Sequence, residues 1–264
     1  VGSSHLGHMG SLAAIAAEKA SILQGLGRQG IAVLPPDLIA PRGTRVLRFG
    51  TDRGLEAVLL GSEADAEGST LALRILDHAF SFRLGAPGRH MAMNALAALA
   101  AVAALGHDPA RAATALAGFA ALGGRGAWRD LPGGARLLDE SYNASPESVR
   151  AALSLLNLAG GRRIAILGDM LELGSEGPAL HAGLAPDVAA AADLLFTCGP
   201  QMRALFEAVP PALRGAHAAD AQALAPLVRA ALAPGDVVLV KGSNGSRMRL
   251  VVAALESGTR EGGA

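Results

Sequence analysis

Cysteine is almost missing from this chain: Cys198 stands alone among 264 residues, so no internal disulfide can form and a reducing compartment, the cytoplasm, is expected. Charge of one sign is missing too. Lys+Arg and Asp+Glu both number 23, which argues against nucleic acid or an acidic membrane surface as a partner, since both require a basic surplus. Long hydrophobic runs are absent. The longest, Ala95 to Leu105, is mostly alanine and too short to span a bilayer, so no membrane insertion is expected. The first residues carry no basic stretch followed by an apolar core, and no initiator Met, and the reading taken from this is a chain that begins inside a larger protein. Lysine is scarce: only Lys19 and Lys241 occur, the other basic residues being arginine. Arginine can replace lysine where only a charge is needed, but not where a titratable primary amine is needed, which singles out both lysines.

What is present is apolar residue in quantity, 51% of the chain against 17% charged, enough for a buried core and against disorder. The length suggests about two domains. In the first, Ser11 is a candidate N-cap for a helix whose residues Leu12, Ile15, Lys19, Ile22 and Leu26 recur at helical spacing, ending in the glycines at 25, 27 and 30. Strand-like runs follow at 31–34, 45–49, 58–60, 71–76 and 79–84, then a long Ala/Leu helix from His90 to Gly106 and another from Asp108 or Pro109 to Leu122. After Gly133 short apolar runs at 135–138, 164–167, 194–196 and 237–240, with a weaker one at 214–217, alternate with helical stretches at 146–158, 178–191, 200–208, 221–232 and 244–256. Such alternation indicates buried parallel strands in βαβ units. The boundary is expected in the glycine-rich stretch 129–134, giving domains 1–131 and 132–264, an α/β protein throughout.

Two nucleotide-binding patterns fail. The literal GxGxxG at Gly25–Gly30 is preceded by a helix and followed by a strand, the reverse of the dinucleotide arrangement. No phosphate loop exists, because Glu18 and Val240, not glycine, precede the two lysines. Lys19 lies on the apolar stripe of its helix, seven positions after Leu12, which points its amine inward. Either it snorkels out or pairs with a carboxylate such as Glu18, or its pKa is lowered enough for modification or anion binding.

Five ordered segments carry a resemblance. SSHLGHMGSLAAIAAEKASIL, PGRHMAMNALAALAAVAALG, LLDESYNASPESVRAAL, RRIAILGDMLELG with His181 beyond it, and VLVKGSNGSRM together resemble the Mur ligases, which build the peptide of bacterial peptidoglycan. The resemblance implies the remainder of a central ATP-binding α/β domain followed by a Rossmann-like C-terminal domain with a mainly parallel sheet. The last three segments resemble the member that adds D-alanyl-D-alanine to UDP-MurNAc-tripeptide through an acyl phosphate, using ATP and Mg2+, as a monomer. By the same resemblance His5 is a magnesium ligand and Lys19 becomes one when carbamylated; both count as catalytic. Asn94, Arg125, Tyr142 and Asn143 match positions near ATP, with Glu140 near its ribose. Asp169, Lys241, Ser243 and Arg247 fall in segments that bind the incoming dipeptide. The family's uridine-nucleotide domain, phosphate loop and a further magnesium-binding Glu would precede Val1, so a fragment inactive by itself is expected, with two domains that close over the substrates. Departures from the pattern are Met91 after His90, Ser145 for the second Asn of Asn-Ala-Asn-Pro, and Gly7 where an acidic residue often stands.

Independently of the resemblance, the segments Asp139–Glu140, Gly168–Asp169, Thr197–Gly199 and Lys241–Ser243 each follow the end of an expected strand, where ligands of open parallel sheets bind. Ser243 is positioned to cap the last helix, with Arg247 one turn in. Alternatives stay open: Asp169 as a turn residue, Arg247 on a solvated helix face, another amide ligase of the superfamily, or a non-catalytic module for a small anionic ligand. Cys198 reads as a small buried hydrophobe, and His8, His78, His107 and His217 as ordinary histidines.

Overall fold

The computed structural model describes residues 6–65, 68–119 and 123–257. The described residues form two compact units, one of residues 9–65 and 68–119 and the other of residues 123–257 together with 6–8. The division falls earlier than the expected 131/132 because a strand absent from the sequence reading, at 127–130, pairs into the second unit's sheet.

After a single helical turn, α1 (Leu6–Met9), the first unit opens on α2 (Leu12–Ala20), where the Ser11 hydroxyl accepts the Ala14 amide at 3.1 Å. Strands β1 (Ile31–Leu34), β2 (Arg45–Gly50) and β3 (Ala57–Ala64) are parallel, and β4 (Ser69–Ile75) and β5 (His78–Leu84) continue the sheet antiparallel. Leu76 belongs to the β4–β5 turn rather than to the strand, with φ at 52°. The helix α3 (Arg89–Ala104) buries Ala92, Ala95, Leu96, Leu99 and Ala100, the i, i+3, i+4 stripe, against Leu59, Leu71, Leu73 and Ile75. Its successor α4 (Pro109–Leu116) is capped by Asp108 and starts on proline. Against this, α2 buries only Ile15.

The second unit is a six-stranded sheet with α5 (Pro146–Leu156), α6 (Gly177–Ala182), α7 (Ala185–Ala191), α8 (Met202–Ala208), α9 (Ala221–Ala231) and α10 (Arg249–Glu256) around it. Strands β7 (Arg136–Glu140), β8 (Arg163–Gly168), β9 (Leu194–Cys198), β10 (Arg214–Ala218) and β11 (Val237–Lys241) are parallel, and β6 (Ala127–Asp130) is an antiparallel edge on β7. The order is β10-β9-β8-β11-β7-β6. Alternate residues face opposite layers: Leu138, Ala165, Leu167 and Leu239 pack under α5, α7 and α8, while Leu137, Ile164, Ile166, Val238 and Val240 pack under α9 and α10.

In the second unit two helical stretches differ from expectation. The stretch at 178–191 is two helices parted at Gly183–Leu184, and the last helix begins at Arg249, after a tight helical turn at Asn244–Ser246 that ends on Arg247 with φ 57°. The chain leaves β7, β8 and β9 toward one face and β11 toward the other. Central β11 therefore borders a topological switch point on both sides, the position at which open α/β sheets bind ligands.

Candidate functional site

At this switch point the segments following β7, β8 and β11 enclose a cavity of about 460 Å³ lined by Tyr142, Asn143, Leu171, Glu172, Ser243 and Asn244. Close approach of the strand ends requires glycine: a Cβ on Gly242 would meet the Ser246 hydroxyl at 2.4 Å, and one on Gly168 the Met248 sulfur at 2.6 Å. Ser243 is the tie between segments. Its hydroxyl accepts the Leu171 amide at 2.9 Å and donates to the Ala144 carbonyl, while its own amide donates to the Asp169 carbonyl. It makes no side-chain cap to the helix beyond, contrary to the capping role expected, because the chain turns at 244–247 before α10 starts.

Lys241 and Glu140 are partners across the β11–β7 ladder, so two residues assigned to different substrates come together. The Lys241 amine is 2% exposed and donates to Glu140 Oε2 at 3.2 Å and to the Asn143 carbonyl at 2.9 Å. Burial pushes its pKa down, and the Glu140 charge opposes that in part. Neither side chain lines the cavity. Lys241 is thus a buried strut under Asn143 rather than an amine presented to a ligand, because its in-register neighbour is a carboxylate.

Asp169 is buried and accepts the Met202 amide at 2.7 Å and the Gln201 amide at 3.3 Å, holding the start of α8. Gly199, at φ 100°, makes room for it, since a Cβ there would lie 2.4 Å from the carboxyl carbon. The next turn is fixed by His181, wholly buried, whose Nδ1 lies 2.6 Å from the Gly177 carbonyl and whose Nε2 accepts the Met170 amide at 2.9 Å. A carbonyl cannot donate, so Nδ1 carries the proton and the ring is neutral; burial holds its pKa below the ordinary value. Asp169 also borders a second cavity, of about 300 Å³, with Gly199, Asp220, Ser246, Arg247 and Leu250. Cys198 sits beside it as the buried hydrophobe expected, its thiol pushed up to about 12 by burial.

Arg247 is exposed, with no ion pair among the described residues, in the left-handed backbone region that disfavours any side chain but glycine's. The guanidinium of Arg125 lies 4.1 Å over the ring of Tyr142, the only tyrosine, which is itself half exposed. The second unit thus gathers Arg125, Glu140, Tyr142, Asn143, Asp169, Lys241, Ser243 and Arg247 around its strand ends, while Asn94 is an exposed residue of α3 in the first unit.

Lys19 corrects the sequence reading: it is exposed, not turned inward. Helical spacing places it on the stripe of Leu12, Ile15 and Ile22, but that stripe is covered only at Ile15, Leu12 being 53% and Ile22 78% exposed. His5 lies outside the described residues. Among the described residues no group of three or more His, Cys, Asp or Glu side chains could hold a metal ion. A lysine ammonium is no ligand, so Lys19 could serve a magnesium ion only after carbamylation.

Three structural roles escaped the sequence reading. Asp139, next to the Glu140 that drew attention, is the buried acceptor for Gly124 and Ser141. His181 orients the turn after β8. Ser145, a departure from the family pattern, caps α5 in a reciprocal pair with Ser148, a Ser-x-x-Ser spacing that was visible.

Residues 1–102 match the family described as Mur ligase middle domain, and residues 124–244 that described as Mur ligase, glutamate ligase domain. Among curated relatives, UDP-N-acetylmuramoyl-tripeptide–D-alanyl-D-alanine ligase of Escherichia coli is 34% identical over 97% of this chain and 58% of its own length. The enzyme of that name from Bacillus subtilis is 30% identical over 96% of this chain and 57% of its own. A crystal structure of MurF ligase from Thermotoga maritima in complex with ADP superimposes with a TM-score of 0.83 at 26% identity, covering 97% of this chain and 60% of that one. The chain spans under three-fifths of the length of these curated relatives.

Proposed function

Because the chain belongs to the Mur ligase family, we propose that it is the nucleotide-binding and amine-binding portion of a ligase joining D-alanyl-D-alanine to UDP-N-acetylmuramoyl-tripeptide in the cytoplasm. The observation that carries this reading is the switch-point cavity at 142–144, 171–172 and 243–245, built by three of the segments that resemble the family. In the reaction, the terminal carboxylate of the tripeptide attacks the γ-phosphorus of ATP and ADP leaves. The dipeptide amine then attacks the acyl phosphate, and the tetrahedral intermediate collapses to the amide and inorganic phosphate. Such chemistry depends on positioning and on charge stabilisation more than on a protein nucleophile, in keeping with a thiol, Cys198, that stays protonated.

A half-exposed aromatic ring with a guanidinium stacked on it suits a nucleotide, and Arg125, Tyr142 and Asn143 take that role in the second unit; Asn94 of the first unit matches a family ATP contact by resemblance alone. Asp169, through the loop it fixes, Ser243 and Arg247 shape the dipeptide's place, with the unpaired Arg247 facing the dipeptide carboxylate. Glu140 and Lys241 support the strand ends from beneath. By the family resemblance Lys19, exposed here, would offer magnesium an oxygen ligand only as a carbamate, with His5 as the other ligand that the resemblance implies; no catalytic step is assigned to it in the uncarbamylated form. The deciding experiment uses the full-length protein: phosphate release with ATP, UDP-MurNAc-tripeptide and one of several amines. Release with D-alanyl-D-alanine alone supports the assignment, and release with a single amino acid such as diaminopimelate or glutamate in its place overturns it.

A further inference from the structure

The loop Gly124–Gly126 has little of its own to hold it. Gly124 and Gly126 both take positive φ, 77° and 92°, and neither has a side chain to anchor. Arg125 between them nevertheless lies in register over Tyr142. The loop is laced to the end of β7 by three bonds: the Gly124 amide donates to Asp139 Oδ2 at 2.8 Å, the Tyr142 amide donates to the Gly124 carbonyl at 3.1 Å, and the Gly126 amide donates to the Asp139 carbonyl at 2.9 Å. Asp139 is 3% exposed and carries more than the loop. Its Oδ1 accepts the Ser141 amide at 3.1 Å and the Ser141 hydroxyl at 2.6 Å, and Arg129, itself bonded to Glu256, lies 3.2 Å from its Oδ2. One carboxylate therefore fixes the segment on each side of the Arg125–Tyr142 stack: Gly124 next to Arg125, and Ser141 next to Tyr142.

We propose that Asp139 is a positioning residue that holds the Arg125 guanidinium over the Tyr142 ring, and through that stack sets the affinity for the nucleotide. Its second half rests on the reading of Arg125 and Tyr142 as nucleotide contacts; its first half does not. Nothing in the neighbouring Glu140 substitutes, because adjacent strand residues face opposite layers and Glu140 is held by Lys241.

The test is D139N. The amide keeps the shape but sets an NH2 group against the Gly124 amide or removes the acceptor from Ser141, and it ends the ion pair with Arg129. In the full-length enzyme it should raise KM for ATP roughly tenfold, as for groups that orient another ligand, and more than it lowers kcat. In the 264-residue chain labelled with fluorotyrosine, which gives one 19F signal, the resonance should move. G124A alters the same loop while keeping the Asp139 carboxylate, since its Cβ would lie 3.1 Å from that of Tyr142. It should move the same resonance and the same KM, and it decides the matter if D139N does not fold. A 19F signal unmoved in both variants overturns the positioning role. A signal that moves with KM unchanged leaves the positioning role standing and overturns the nucleotide reading of the stack.

Discussion

The chain's two lysines sit in its two units and meet opposite fates. Lys241, at the end of a central strand, is buried at 2% exposure, bonded to a carboxylate and a carbonyl. Lys19, on a helix of which only Ile15 is buried, stands in solvent. Scarcity singled out both, yet only the second unit supplies its lysine's surroundings from within itself. Periodicity tells which residues share a face; it does not tell whether anything covers that face. At a central strand of a parallel sheet the cover is guaranteed, because its end is flanked by two other strands, as β11 is by β7 and β8. On α2 it is not.

The sharpest way to break the contrast is to change each lysine. In the full-length enzyme K19R should abolish phosphate release, a loss of at least about a hundredfold, since a guanidinium forms no carbamate and the loss of a metal-associated group has effects of that order. Retained turnover at ordinary bicarbonate would remove Lys19 from the chemistry. K241M should act instead on stability, lowering it by about 3 kcal/mol in urea unfolding, because Glu140, 14% exposed, is left without its partner. The double variant K241M/E140L should recover most of that loss; equal loss in the double would show that the pair is not what holds the strand ends together.

His181 extends the contrast to pH. Its folded-state pKa is depressed, chiefly by burial, so its contribution to stability is complete above the unfolded value of about 6.5 and declines as pH falls toward the folded value. H181A should cost about 2–4 kcal/mol at pH 8, through the lost ring and the unpaired Met170 amide, and should flatten the fall in stability below pH 6.5. An unchanged slope would assign that slope to other groups. The smallest effect is expected at Arg247. R247G relieves a left-handed backbone strain of about 1 kcal/mol, so the melting temperature should hold or rise slightly while KM for the dipeptide increases. A fall in stability with KM unchanged would make Arg247 a structural residue.

The same contrast shows in what is legible in the sequence. The strands of the second unit were readable because central parallel strands are uninterrupted apolar runs, such as Ile164–Leu167 and Val237–Val240. The edge strand β6 was not, because Ala127–Asp130 is short, half-polar and satisfied by pairing on one side only. The polar segments at the strand ends were identified as a group, but their division of labour was hidden. Whether Asp139 or Glu140 faces the loop, and whether Lys241 faces a ligand or a carboxylate, depends on register across strands far apart in the chain. The reversal at Arg247, which moved the last helix to Arg249, had no signal beyond Gly245 in an otherwise helical run.

The claim on which the rest depends is that the ring of Tyr142, under the Arg125 guanidinium, meets the nucleotide. Titrating ADP into the fluorotyrosine-labelled chain tests it directly, with one 19F resonance to follow. A saturable shift that is lost when Arg125 is replaced by glutamine agrees with the account. Binding of ADP, detected calorimetrically, with the resonance unmoved would contradict it.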